Sequence, residues 1–151
     1  MKNHTKLLSL GTLCLLAVVV GCSSGPARSA VEGMVTFGGQ PLPAGRIIFT
    51  PLAPNVGPTV TARITAGKYQ VARSAGPVVG MNRVEVEADL NLGFALDDEE
   101  AFARRGATPL PSSPIPPEFG VNSQMSVEVM PRKTNKFDVA VPATVQTANY
   151  R

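Results

Sequence analysis

Residues 31–49 have the sequence VEGMVTFGGQPLPAGRIIF. Their first seven positions alternate between inward and outward sides, and this period of two is typical of a strand with one buried face. Gly38-Gly39 then forms a turn, and the Pro- and Gly-containing connector 40–45 is incompatible with a helix. Ile47 and Phe49 face the same side of the next strand. The stretch therefore predicts two consecutive strands and a β fold.

The same alternation recurs along the chain and predicts about seven short strands within residues 30–142. Ala66-Gly67 marks a tight turn that joins two of these strands into a hairpin. The 14 Gly and 14 Pro among 151 residues disfavour a helical bundle. We therefore predict an all-β sandwich. Its predicted core consists of Val31, Val35, Ile47, Phe49, Val60, Ile64, Tyr69, Val84, Val86, Val127, Phe137 and Val139.

Residues 88–121 interrupt this pattern and are predicted to be an insertion. Asp97 is placed to cap a helix, acidic residues fill its first turn, and Gly106 stops it, which predicts two or three helical turns. The following segment, 108–117, contains five prolines and predicts an extended crossover.

The amino-terminal segment has the features of a signal peptide. Lys2 and Lys6 precede an apolar run, residues 7–20, that is too short to cross a bilayer. Val19-Val20-Gly21-Cys22 resembles the bacterial lipobox. That resemblance implies cleavage before Cys22 and a diacylglyceryl group on its thiol, with fatty-acyl chains such as palmitate. Cys22 is accordingly the one functional site residue that the sequence predicts.

Cleavage would divide the chain into a signal peptide (1–21), a polar tether (22–29), the β domain (30–142) and a polar tail (143–151). Ser23 stands where an Asp would indicate inner-membrane retention, so the outer membrane is favoured. The mature part keeps 12 basic and 11 acidic side chains, because cleavage removes Lys2 and Lys6 but no Asp or Glu. This balance gives no indication of nucleic-acid binding. The mature part also has no His, and with Cys22 acylated it has no free thiol for a disulfide or zinc site.

Three stretches of the β domain resemble a known family. Residues 31–49 combine a V-x-G-x-V strand with a G-x-P-L turn, as carboxypeptidase regulatory-like domains do at their opening. Residues 62–71 resemble the next hairpin of those domains, and the segments 115–119, 123–129 and 135–141 together resemble the end of small bacterial lipoproteins that carry one. The resemblance implies a transthyretin-like seven-stranded sandwich and a non-catalytic accessory module without a family-wide active site. Residues 88–121 depart from the family pattern.

Few residues are candidates for chemistry. Without a mature His, neither a Ser-His-Asp nor a Cys-His arrangement can form. Asp89 and the run 97–100 supply carboxylates for calcium or for glycoside hydrolysis, but the calcium-loop spacing is missing and a helix amino terminus explains four of the five acids. The lack of Trp disfavours a glycan platform. The terminal Asn149-Tyr150-Arg151 lacks the Gly-Ser of 5-hydroxyisourate hydrolase, and that assignment is rejected.

We therefore expect a lipoprotein of the bacterial cell envelope that serves as a non-catalytic structural or protein-interaction module. Its expected partners are the membrane, through Cys22, and an envelope protein that could pair with an edge strand. No cofactor is expected. The alternatives are a calcium or glycan binder that uses 88–121 and a carboxylate-dependent hydrolase that uses 97–100. For Arg132-Lys133 with Lys136, placed in the last hairpin turn, a solvated turn is favoured over a phosphate or lipid-headgroup contact.

Overall fold

The computed structural model describes residues 25–90, 98–106, 109 and 111–143, so Cys22 lies outside the described residues. No helix in these ranges is long and apolar enough to cross a membrane. The elements of the described part are β1 (Ala30–Phe37), β2 (Gln40–Pro41), β3 (Ala44–Pro51), β4 (Val60–Thr65), β5 (Lys68–Val71), a single 3-10 turn (Arg73–Ala75), β6 (Gly80–Ala88), α1 (Glu99–Arg105), β7 (Ser126–Val129), β8 (Thr134–Lys136) and β9 (Val139–Val141).

The strands form one curled sheet in the order β2-β1-β5-β4-β3-β6-β7, and β8 and β9 both pair with β1. Neighbours along the main path are antiparallel, whereas β8 and β9 run parallel to β1. β4 and β5 share one register pair, Thr65 with Lys68, next to their turn. Beyond that pair the two strands are unpaired with each other, and the sheet curls into a sandwich-like fold. The prediction of an all-β sandwich with one short helix is confirmed.

The carboxyl-terminal region differs from the prediction in two ways. Of the predicted strand over 137–141, only Val139–Val141 forms a strand, β9, and a separate strand, β8, precedes it with Phe137 and Asp138 between the two. The placement of Arg132-Lys133 and Lys136 in a hairpin turn is wrong, because β7 pairs with β6 whereas β8 pairs with β1. Alternation reveals a strand but does not reveal its neighbour, and here the chain crosses from one layer to the other.

The buried core agrees closely with the predicted set. Ten of its twelve members are buried, while Val127 and Phe137 are partly buried and pack against the others. The core also contains five residues outside the predicted set: Leu42, Ala62, Ile115, Val129 and Val141. The rings of Phe49 and Tyr69, from β3 and β5, lie 6.0 Å apart between their centroids and connect the two parts of the sheet.

The insertion contains α1, whose start differs by one residue from the prediction. The cap is Asp98, not Asp97, because the Asp98 carboxylate accepts a hydrogen bond from the backbone N–H of Ala101 at 2.9 Å. Gly106 ends the helix with a positive φ of 62°, as predicted. Asp97 lies outside the described residues. The described residues of the Pro-rich crossover have no regular secondary structure, but Ile115 is buried in the core.

Candidate functional site

β4 has an unpaired edge. The backbone N–H of Ala66 donates a hydrogen bond to the carbonyl of Pro43 at 2.8 Å. Pro43 and Ala66 continue the ladder between β3 and β4 by one pair, so this bond shows which pairs of that ladder exchange backbone hydrogen bonds. By the alternation of an antiparallel ladder, the backbone groups of Ala62 then face β3 and those of Thr61 and Arg63 face away. Within the described residues, no strand pairs with Thr61 or Arg63 on that side. This edge can therefore accept a further strand.

An open groove of about 700 Å³ lies beside this edge. It extends from β4 over β5 and β1 to the link between β8 and β9, and most of the lining side chains are exposed. Its residues are Glu32, Gly33, Met34, Arg63, Thr65, Lys68, Tyr69, Gln70, Lys136 and Asp138. A chain added at β4 would thus meet side chains of both signs of charge.

The charged groups of the groove form only weak, exposed ion pairs with described residues. Lys136 is 3.5 Å from the Asp138 carboxylate, and Arg63 is 3.5 Å from that of Asp89. Exposed pairs of this kind contribute little to stability. Lys68 forms no ion pair with any described residue. The Arg63 and Lys68 side chains can consequently form ion pairs with an acidic ligand at little cost.

Tyr69 lies at the base of the groove and has a structural role. Its hydroxyl donates a hydrogen bond to the backbone carbonyl of Phe137 at 2.7 Å. Burial raises the pKa of Tyr69, and the negative charges of Asp138 and Glu32 raise it further. The phenol therefore stays protonated and bound to that carbonyl. This agrees with the prediction that Tyr69 is a packing residue.

The carboxylates that the sequence singles out and the structure describes do not form a metal-binding cluster. Asp89 lies near Arg63, Asp98 caps α1, and Glu100 pairs with Arg104 at 3.4 Å on the same helix. Among the described residues, no three His, Cys, Asp or Glu side chains are close enough to hold a metal ion. The helix-terminus interpretation accounts for Asp98, Glu99 and Glu100.

Within the described ranges, β7 also has an unpaired edge, which provides a comparison. The backbone N–H of Val84 donates to Met125 at 2.9 Å, so the alternation directs the backbone groups of Ser126 and Glu128 away from β6. The groove lining contains no residue of β7. Of these two edges, only that of β4 lies beside the groove.

The sequence did not locate this site. Alternation marked the outward positions of β4, but it contained no signal that β4 and β5 separate after one pair. Only knowledge of which strands pair with β4 and β5 would have revealed this separation.

No protein-family model matches the chain, and no curated protein or solved structure matches it at a significant level.

Proposed function

We propose that this chain is a lipid-anchored protein of the bacterial cell envelope and a non-catalytic interaction module that binds an extended segment of a partner protein at β4. The anchor is supported by the Val19-Val20-Gly21-Cys22 sequence after a short apolar run. The accessory role is supported by the resemblance of residues 31–49 to carboxypeptidase regulatory-like domains. The observation that carries the binding role is the unpaired β4 edge beside the groove.

Strand addition needs free backbone groups more than special side chains. At β4 the N–H and C=O groups of Thr61 and Arg63 supply them. Alternate side chains of the added segment would enter the groove, where Arg63 and Lys68 favour an acidic residue. Affinity thus comes from the backbone of β4, and selectivity from the charges of the groove.

The test is crosslinking in the native envelope, followed by mass spectrometry, with Thr61→Pro beside the wild type. Proline removes an N–H that faces the open edge, so the ladder between β3 and β4 keeps its hydrogen bonds. Ser126→Pro is the matched control, because it makes the same change at the open edge of β7. Circular dichroism of both variants checks that they fold.

We expect a protein partner that crosslinks to the wild type and to Ser126→Pro but is lost in folded Thr61→Pro. A partner retained by Thr61→Pro would place the contact elsewhere on the domain. The absence of any protein partner from the wild type would contradict the proposed function.

A further inference from the structure

One end of the sandwich carries the segment that leads to Cys22, and we call it the tether end. It consists of residues 25–29 and of three loops, 52–59, 72–79 and 130–133, which join strands there. The loop 72–79 is held to the tether: Val79 N–H donates to Ala27 at 2.8 Å, and Ser29 N–H to Pro77 at 3.2 Å. Gly57, in the loop 52–59, approaches both Val78 and Pro26.

The loop 130–133 joins the same end through β8. Thr134, the first residue of β8, pairs with Ala30, the first residue of β1. The Asn135 side-chain amide donates to the carbonyl of Ala30 at 3.2 Å and to that of Met130 at 3.0 Å. The residues that precede β1 and the turn that precedes β8 therefore lie side by side.

The tether end carries only positive charge. Its four segments contain Arg28, Arg73, Arg132 and Lys133 and no Asp or Glu. Arg28 is half-buried and donates to the Gly76 carbonyl at 3.1 Å, whereas the other three are exposed. The nearest acids along the chain, Glu32 and Glu128, are each the third residue of their strand, β1 and β7.

The same end also exposes apolar side chains. Val56 is 83% exposed and Met130 is 41% exposed, and they belong to two of the three loops. Cationic side chains beside exposed apolar ones match the chemistry of an anionic membrane surface, which offers phosphates at the headgroups and hydrocarbon just below.

The distance to the anchor agrees with such a contact. Ala27, which is bonded to Val79, lies five positions after Cys22, and even a fully extended chain spans at most about 18 Å over five positions. Acyl chains on Cys22 would therefore keep the tether end close to the bilayer.

We propose that the tether end is a membrane-docking surface that binds anionic phospholipid headgroups through Arg73, Arg132 and Lys133, with Val56 and Met130 at the hydrocarbon boundary. This inference rests on the proposed lipid anchor and adds an orientation to it. The tether end faces the bilayer, and the acyl chains and the basic loops both contribute to membrane binding. The contact also keeps the opposite end, where the β4–β5 turn lies, directed away from the bilayer.

The experiment uses the mature acylated protein in vesicles of phosphatidylcholine, or of an equal mixture of phosphatidylcholine and phosphatidylglycerol. Both natural cysteines are absent as free thiols, since Cys14 is removed with the signal peptide and Cys22 is acylated. A fluorophore on Val56→Cys reports the tether end, and one on Gln40→Cys reports the opposite end of β1. Quenching by a headgroup-linked acceptor measures how near each lies to the bilayer.

Two charge variants complete the design. Arg73→Gln, Arg132→Gln and Lys133→Gln together remove the exposed cations of the tether end. Arg63→Gln, Lys68→Gln and Arg104→Gln together remove three exposed cations elsewhere and give the same net charge.

We expect strong quenching at position 56 and weak quenching at position 40, with a several-fold rise at position 56 when phosphatidylglycerol is present. The tether-end variant or high salt should abolish that rise, whereas the control variant should keep it. Equal quenching at both positions, or an equal loss in both charge variants, would overturn the docking surface while leaving the anchor intact. Mass spectrometry of the same sample reads acylation separately, and an unmodified Cys22 would overturn the proposed anchor and this inference with it.

Discussion

At the scale of single residues, the backbone carbonyl of Phe137 explains both the glycine at position 33 and the tyrosine at position 69. A Cβ atom on Gly33 would collide with the backbone carbonyl of Phe137, and the Tyr69 hydroxyl donates to that same carbonyl. Asp138 continues the arrangement, because its carboxylate accepts the N–H of Met34 at 2.8 Å. The glycine makes room for the segment between β8 and β9, and the tyrosine and aspartate hold that segment to β1 and β5.

Gly33→Ala tests the close approach. The added methyl group meets backbone, which cannot move without displacing the link between β8 and β9. We expect the free energy of unfolding to fall by about 3 kcal/mol, measured by chemical denaturation. Gly25→Ala is the control, because nothing lies within 4 Å of its added Cβ. Similar stability of Gly33→Ala and Gly25→Ala would show that the contact is not a real constraint.

Tyr69→Phe tests the hydrogen bond and predicts a dependence on pH. At neutral pH, the loss of the donor to Phe137 should lower the free energy of unfolding by about 1–2 kcal/mol. Burial raises the pKa of Tyr69 in the folded state, so above its ordinary value of about 10 the folded state binds more protons than the unfolded one. This contribution to stability is fully present below that pH and is lost as the pH rises toward the folded pKa.

Unfolding measured from about pH 9 to about pH 11 isolates this effect, because lysines titrate in both proteins and only the wild type has the Tyr69 hydroxyl. The wild type should lose stability more steeply than Tyr69→Phe. Equal slopes in the two proteins would contradict the assigned environment of Tyr69.

At the scale of elements, the turn between β7 and β8 depends on one buried amide. The Asn135 side chain accepts the N–H of Met130 at 2.8 Å and donates to the carbonyls of Met130, Lys133 and Ala30. These contacts connect the loop 130–133 to the start of β1. A three-residue strand such as β8 has few backbone bonds of its own, so the amide carries much of its attachment.

Asn135→Ala should therefore lower the free energy of unfolding by about 2–4 kcal/mol, since it leaves four partly buried backbone groups without their partner. Asn122→Ala is the matched control at an exposed turn and should be nearly neutral. Chemical denaturation of the two variants, together with amide exchange of Met130, measures the effect. A stability of Asn135→Ala equal to that of Asn122→Ala would mean that β8 is held by its ladder alone.

The same elements show what sequence could and could not predict. The positions of the strands and their inward residues followed from a period of two, which depends only on local alternation and burial. The neighbours of β8 and β9 and the separation of β4 from β5 depend on contacts between residues far apart in the chain. For that reason the core was largely predictable, whereas the open edge and the groove of the candidate site were not. The helix cap shifted by one residue because Asp97 and Asp98 offer the same cap chemistry.

At the scale of the whole molecule, the proposed anchor, the docking surface and the binding edge together define one orientation of the domain on the membrane. The basic tether end lies beside the segment that leads to Cys22, and the β4 edge extends from that end toward the β4–β5 turn. A module fixed in this way presents its open edge at the side of an upright domain, where an extended segment of another envelope protein can reach it. The proposed anchor, and with it the orientation of the domain, depends on acylation of Cys22.

The most direct test of the account is therefore fatty-acid labelling of the wild type and of Cys22→Ala in a bacterial host, with the mass of the mature chain measured in parallel. We expect the wild-type protein to begin at Cys22, carry acyl chains and partition into the membrane fraction, while Cys22→Ala is unlabelled. Equal labelling of the two proteins, or a wild-type chain without acyl groups, would contradict it.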